Sequence, residues 1–432
     1  MATLNQELVA RFDDGRTIHR EQAGRAIAGV MAALPAAPGA ILLNCQCSYR
    51  FYVALLACLA AGRQVVLLPN ALPAVAARYR DQYGSVIDDA DDVLRLRYGS
   101  SDVTLLESQG AAWHGQLDPA GAVLLYTSGS TGEPKKVVKT VAGLMAEVSD
   151  LQSLFLGAPP RLLAATVPHY HLYGLLFRIL LPFQSGYPFL ASTIRSPAEL
   201  AELDSYVLVS SPAFLRRLTE QEPLGGAALV FSSGGALLPD EELLVQQVFG
   251  APCFEIYGSS ETGGIGYRRA RAGQHLWTLP GTEVRAGADG RLWLWSRYCA
   301  ETGWVERDDL IELHADGSFR VLGRADDIVK IEEKRISLGH LASLIRATSP
   351  AIRTARLLVY DEPMRKRLAA VVVVDAAVPE SQFARIEQVA KAALQGQVER
   401  MFIPRKWKVV HEAVLDAMGK LSRSTMLELM HE

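Results

Sequence analysis

Two glycine loops, each closing a short apolar strand and separated by one helix, restrict this chain more than any other feature. Leu229-Val230-Phe231 reads as a buried strand and runs into Ser232-Ser233-Gly234-Gly235-Ala236. Pro239-Asp240 opens a helix that runs from Glu241 to Phe249, and Gly250 ends it. A second strand, Cys253 to Tyr257, leads into Gly258-Ser259-Ser260-Glu261-Thr262-Gly263-Gly264. Strand, helix and strand in that order predict a parallel pair. Both loops then fall on the carboxyl edge of the sheet, where open parallel sheets bind ligands.

A third loop of the same character lies upstream. Ala122-Val123-Leu124-Leu125 reads as a strand and leads into Tyr126-Thr127-Ser128-Gly129-Ser130-Thr131-Gly132-Glu133-Pro134-Lys135. Glycines let backbone N–H groups turn toward an anion, hydroxyls add donors, and the Lys135 ammonium supplies a point charge. Such a loop suits a triphosphate; an ordinary surface turn is the plain alternative. It is not the G-x-x-x-x-G-K-[ST] loop, which needs glycine where Pro134 stands.

The amino-terminal spacing predicts a helix over Arg20–Leu34 and a strand over Ala40–Leu43. A helix over Tyr52–Ala61, stopped by Gly62, and a strand over Gln64–Leu68 follow. Thr140 is placed to cap a helix carrying Val141, Leu144, Met145, Val148 and Leu151 on one face. Helices alternating with continuous apolar strands argue for a parallel sheet covered on both sides. The length of 432 residues predicts two or three domains.

A balance of 44 basic against 47 acidic residues leaves no cationic excess, so no nucleic-acid partner is expected. The cysteines Cys45, Cys47, Cys58, Cys253 and Cys299 form no C-x-x-C pair. They read as small buried thiols of a reducing cytoplasm. No leader pattern opens the chain, and its longest apolar stretch, Phe51–Gly62, is about half of a membrane span. No transmembrane segment is expected.

Four further motifs follow. Pro168-His169-Tyr170-His171-Leu172-Tyr173-Gly174 gathers two histidines and two tyrosines, a composition suited to a pocket wall. From Leu279 the chain turns strand-rich, with hairpin signals at Ala288-Asp289-Gly290 and Asp316-Gly317 around Gly303-Trp304 and Asp309-Leu310. Gly323-Arg324-Ala325-Asp326 precedes an α+β tail with strands at Arg356–Tyr360, Leu368–Val374 and Lys406–Val410, and a helix over Pro379–Val398. Near the end stands Gly419-Lys420.

In this order, the motifs from about Tyr126 to Lys420 resemble those of the adenylate-forming superfamily, which includes acyl-CoA synthetases, luciferases and adenylation domains of peptide synthetases. The resemblance implies an α/β fold. A large N-terminal domain, 1–323, would combine parallel-sheet layers, shortened at the amino end, with a small β-rich subdomain. A small mobile α+β domain, 324–432, would follow, hinged at Asp326. ATP and Mg²⁺ are the implied cofactors.

The resemblance also assigns residues. Thr127, Ser128, Gly129, Ser130, Thr131, Gly132 and Lys135 would hold the triphosphate, while Gly235 and Ala236 line the nucleotide. Tyr257 would stack on adenine beside Gly258, and Ser260 keeps the hydroxyl of the threonine found in relatives. Glu261 would bind magnesium, which is hard and takes oxygen ligands. Asp309 and Arg324 would hold adenosine, His171 would line the carboxylate pocket, and Lys420 would be the catalytic lysine.

The implied reaction activates a carboxylic acid as acyl-AMP, releases pyrophosphate, and passes the acyl group to a phosphopantetheine thiol of CoA or an acyl carrier protein. Two further motifs depart from the family pattern: Arg307-Asp308 replace Thr-Gly, and Glu333 replaces a glycine in Lys330–Ile336. A stand-alone amino-acid or aryl-acid adenylation enzyme shares the nucleotide motifs. The lack of an aspartate beside His171 counts against an amino acid. A degenerate, purely nucleotide-binding relative is the non-enzymatic reading.

Overall fold

Tyr206–Ser210 is buried at every position, as expected of a strand covered on both faces. It sits at the centre of a sheet with the strand order Trp277–Thr278, Gly263–Arg269, Cys253–Ser259, Ala227–Ser233, Tyr206–Ser210, Leu162–Ala165, Phe189–Leu190, Leu8–Arg11 and Thr17–His19. The run from Cys253–Ser259 to Leu8–Arg11 is parallel throughout, whereas the outer strands pair antiparallel. The parallel sheet predicted from sequence is therefore the central part of a mixed one. Only three residues separate Ser259 from Gly263, which are paired. A connection that short can only form a hairpin.

The computed structural model describes residues 8–37, 39–68, 73–105, 111–128, 134–157, 161–218, 224–270, 273, 275–325, 327–331, 334–362, 365–395, 397–415 and 421–431. Its contacts form two compact units, one within 1–129, 134–283 and 295–304, the other built chiefly on 284–294 and 305–432. Residues 291–294 and strand Val305–Leu313 thus group with the carboxyl-terminal part by contact, while a boundary after Gly323 assigns them to the first domain.

The first unit also holds, among the described residues, a sheet in the order Ser101–Thr104, Arg95–Tyr98, Ser85–Asp88, Ile41–Asn44, Gln64–Leu67, Ala122–Ser128 and Pro134–Thr140. Its four central strands are parallel. Helix Arg20–Ala33 follows the predicted span, whereas the apolar helix begins at Ser48, ahead of its predicted start, and runs to Ala60. Its segment Phe51–Leu59 is almost fully buried, which accounts for its unbroken apolar run. Gly62 follows at φ +66°, a left-handed turn that favours glycine. Thr140 caps Val141–Phe155, its hydroxyl accepting from the Gly143 amide at 3.1 Å.

Thr282–Ala286, Arg291–Ser296, Val305–Leu313 and Phe319–Arg324, most of whose residues belong to the second unit, make one sheet. Ile352–Glu362, Arg365–Val374 and Lys406–His411 make another. Along the middle strand, Leu368, Ala370, Val372 and Val374 face Leu341, Ile345, Ala390 and Leu394, while Val371 and Val373 face Leu421 and Met426. This period-two alternation buries both faces of one seven-residue apolar run.

Candidate functional site

Three loops meet the carboxyl edge of neighbouring parallel strands in the first unit. One follows Leu162–Ala165 and carries His171, one follows Ala227–Ser233, and one follows Cys253–Ser259. Ser233 donates its hydroxyl to the Ile256 carbonyl at 2.8 Å, and Thr166 and Ser210 hydroxyls meet at 2.9 Å, so adjacent strand ends are cross-tied. Gly235 and Ala236 are exposed there, and Tyr257, Ser260 and Glu261 are half-buried. A Cβ on Gly258 would lie 2.2 Å from the Gly263 carbonyl oxygen, so only glycine lets this hairpin close. Thr262 braces the turn, its hydroxyl accepting from the Ser259 amide at 3.0 Å.

Beneath these loops lies a buried ionic layer. Lys139, 1% exposed, donates Nζ to the backbone carbonyl of Glu261 at 2.9 Å. Glu147 on the following helix accepts from the Gly264 amide at 2.6 Å. Burial raises its carboxyl to about 7, against the nearby Lys139 ammonium and the Gly264 bond. Asp150, one turn on, accepts from Tyr298 and Arg297. The tip of the Glu261 hairpin and its exit strand therefore both hang from one strand–helix pair, over a separation of 117 to 122 residues.

The neighbouring loop has its own support. Glu255 accepts from the Leu237 amide at 2.7 Å and shares the Arg268 guanidinium with Glu242. One cation between two buried carboxylates leaves a net negative charge. Burial pushes Glu255 up to about 7, opposed by Arg268 and reinforced by Glu242. A carboxyl whose folded pKa is raised contributes fully below its unfolded value and loses that contribution as pH rises through about 7. Urea titrations should therefore show stability falling between pH 4.5 and 7, and the slope should flatten in Glu255→Gln. An unchanged slope would exclude Glu255 as its source.

The two histidines of the pocket-wall motif separate by role. His169 is 3% exposed, bonded to the Cys45 carbonyl at 2.8 Å and the Ser48 hydroxyl at 2.9 Å, with Phe51 at 4.3 Å. A carbonyl only accepts, so Nε2 carries the proton and Nδ1 accepts from Ser48. Burial lowers this ring to about 3. His171 is half-buried, beside the Tyr170 ring at 4.9 Å. Gly174 closes the motif because a Cβ there would stand 2.0 Å from the Pro168 carbonyl oxygen.

After Gly174 the backbone forms a π-helical segment, Leu175–Leu180, which turns Arg178 inward. Arg178 is fully buried and donates to the Val167 carbonyl at 3.1 Å, the Thr193 hydroxyl at 2.7 Å and the Ser192 carbonyl. Burial lowers its pKa to about 10. The guanidinium thus ties the start of the histidine wall to the segment after strand Phe189–Leu190.

In the same unit Thr127 pairs with Lys135 and Ser128 with Pro134, so the strands on either side of the hydroxyl-rich segment are antiparallel partners, and Lys135 is exposed. In the second unit Asp309 pairs across strands with Arg324. Arg307-Asp308 continues an ordinary strand with negative φ, and Asp308 takes Arg291 at 2.9 Å and Arg324 at 3.6 Å. Gly129, Ser130, Thr131, Gly132, Asp326, Glu333 and Lys420 lie outside the described residues. Cys45, Cys58 and Cys253 are buried free thiols, and Cys47 and Cys299 are half-buried.

An open α/β sheet with a glycine hairpin at its carboxyl edge places a ligand site there. The chain belongs to the AMP-binding enzyme family, whose model matches residues 20–287. It is 28% identical over 289 residues to a 4-coumarate–CoA ligase of Cereibacter sphaeroides, covering 65% of this chain and 66% of that one. To a probable 2-succinylbenzoate–CoA ligase of Mycobacterium tuberculosis it is 27% identical, covering 72% and 85%. A dimodular nonribosomal peptide synthase of Bacillus subtilis is 29% identical over 71% of this chain, which spans 14% of that protein.

Among solved structures, the o-succinylbenzoate CoA synthetase of Bacillus subtilis, in complex with its acyl-adenylate intermediate, superposes with a TM-score of 0.76. The match has 18% identity and covers 98% of this chain and 96% of that one. The likeness shows a shared fold. Among the described residues, no helix is long and apolar enough to cross a membrane.

Proposed function

We propose that this protein activates a carboxylic acid with ATP as an acyl-adenylate, releasing pyrophosphate, and then transfers the acyl group to a phosphopantetheine thiol. The observation that carries this reading is the Glu261 hairpin, set beside Gly235-Ala236 on the carboxyl edge and anchored by Lys139 and Glu147. A carboxylate is a poor acyl donor because it is anionic and resonance-stabilised. Attaching AMP neutralises it and supplies a leaving group, so positioning and charge stabilisation are the protein's main tasks.

Among the described residues no three His, Cys, Asp or Glu side chains cluster as metal ligands. That suits magnesium held as on nucleotide phosphates, by one or two carboxylates with the remaining oxygens from phosphate and water. Glu261 is the residue for it, and the ion would neutralise phosphate charge. Tyr257, Asp309 and Arg324 hold adenosine, His171 faces the acid, and Lys420 stabilises charge as the α-phosphate is attacked. Pyrophosphate exchange measured across aliphatic, aromatic and amino acids tests the reading. Exchange with amino acids alone would favour the adenylation-domain reading suggested by the peptide synthase relative, and exchange with none would sink both.

Rotation about Asp326 would remove Lys420 once the adenylate has formed. Lys420→Ala should therefore lose adenylation by about a hundredfold or more, since a charge-assisted contact to the reacting groups disappears. Thioester formation from supplied acyl-adenylate should persist; equal loss in both half-reactions would contradict rotation. The acceptor we assign is a carrier protein, because Glu332 and Glu333 disfavour a bare polyanion such as CoA while Lys330, Lys334 and Arg335 suit an acidic helix. Glu333→Gly should raise transfer to CoA and leave pyrophosphate exchange unchanged. A wild-type enzyme faster with CoA than with carrier protein would exclude the assignment.

A further inference from the structure

A cavity of about 190 Å³ opens at the opposite edge of the large sheet. Leu8 and Val9, which begin one parallel strand, and Tyr187, which precedes another, line it. It therefore lies at the amino edge of strands whose carboxyl edge carries the nucleotide motifs. Its volume exceeds the roughly 150 Å³ that admits a benzene ring.

The walls are built for a ligand with an aromatic body and a charged end. Trp113 and Phe183 lie nearly parallel at 6.1 Å and 18°, and Ala23 and Ile27 add an apolar floor. The Trp113 segment is fixed to helix Arg20–Ala33, its amide donating to the Gly24 carbonyl at 3.0 Å. A Cβ on Gly24 would meet the Trp113 oxygen at 2.6 Å. Tyr52, only 6% exposed, lines the cavity, and its hydroxyl has no hydrogen-bond partner among the described residues.

Two charged or titratable groups line the cavity, Arg20 and His114, and Glu21 stands next to His114. Glu21 is engaged by Arg25 at 3.3 Å and His114 at 3.2 Å. Arg20 keeps its guanidinium without an anionic partner among the described residues. An exposed five-donor fork and an unpaired phenol lining one cavity match a carboxylate, and the stacked aromatics match a ring.

We propose that this cavity is a second ligand site, separate from the nucleotide edge, that takes a small aromatic monocarboxylate through Arg20 and Tyr52. Burial holds the Tyr52 phenol well above its ordinary pKa, so it acts as a donor. Occupancy would bridge helix Arg20–Ala33 to the segment after the π-helix, Pro182–Tyr187.

The test is ¹⁹F NMR titration of the whole protein with 4-fluorobenzoate, with 4-fluorobenzyl alcohol as the uncharged control. Saturable binding of the acid is expected, with the alcohol weaker by about tenfold or more, the cost of losing a charge-assisted contact. Arg20→Met should weaken the acid by a similar factor, and Tyr52→Phe should weaken it severalfold. Both variants should keep the wild-type rate and KM in pyrophosphate exchange, because an acid bound in the substrate pocket would not sense them. Absence of saturable binding, equal affinity in Arg20→Met, or equal binding of the alcohol would each overturn the site. None of these results bears on adenylation itself.

Discussion

Arg178→Met is expected to destabilise the first unit by about 3 kcal/mol in urea or thermal melts. The guanidinium supplies the Val167 and Ser192 carbonyls and the Thr193 hydroxyl from a fully buried position. Methionine fills the space but donates nothing, and each buried acceptor left unpaired costs on the order of 1–3 kcal/mol. Relief from burying a charge, seen in the lowered pKa of Arg178, offsets part of this sum. Arg178→Lys should rescue little, because one ammonium cannot span acceptors that a planar fork reaches together. Where the variant stays folded, KM for the carboxylic acid should rise more than KM for ATP, since Val167 precedes the Pro168–His171 wall. Melting like wild type, with both KM values unchanged, would refute the clamp.

A second large effect is expected from Lys139→Met, acting on the other side of the site. It removes the donor to the Glu261 carbonyl and strips Glu147 of its neighbouring cation. Adenylation should fall by roughly a hundredfold, the penalty for displacing a site group by about 1 Å. Adding Glu147→Gln should recover stability by removing the uncompensated buried acid, yet leave the rate low, because the hairpin anchor is still missing. Recovery of both together would mean that Lys139 serves only to neutralise Glu147. A wild-type rate in Lys139→Met alone would show that the hairpin needs no anchor.

Much of the architecture is legible in the chain because it is local. Thr140 as a cap, Gly250 at φ +62° after its helix, and the strand over Leu368–Val374 each follow from neighbours a few residues away. The glycine loops are legible as motifs, and the one after Cys253–Ser259 resolves into a hairpin. The supporting layer is not legible in the chain, because its partners lie over a hundred residues apart. Its signals are nevertheless present. Lys139 occupies the inward phase of a strand in which Val137 is buried and Val138 exposed. Glu147 sits on the helix face formed by Leu144, Val148 and Leu151. A charge on an apolar stripe asks for a buried partner. His169 and His171 look alike in sequence; only the fold shows that one is enclosed between Ser48 and Cys45. Arg178 gives no local sign, since the π-turn that aims it inward has no composition of its own.

The doubly covered strand of the second unit carries a consequence for the chain before it folds. A run such as Leu368-Ala369-Ala370-Val371-Val372-Val373-Val374 combines high β-propensity with no charge and no proline, the composition that seeds intermolecular cross-β pairing. In the native unit it is paired on both edges, by Ile352–Glu362 and Lys406–His411. Until Lys406–His411 is in place, one edge is open to a second molecule. Arg365-Lys366-Arg367 immediately ahead of the run, and Arg405-Lys406 entering its last partner, stand where gatekeeper charges repel such encounters. Neutralising the exposed Lys366, Arg405 and Lys406 would shift the fate of newly made chains toward aggregates while leaving the chemistry of the folded protein untouched.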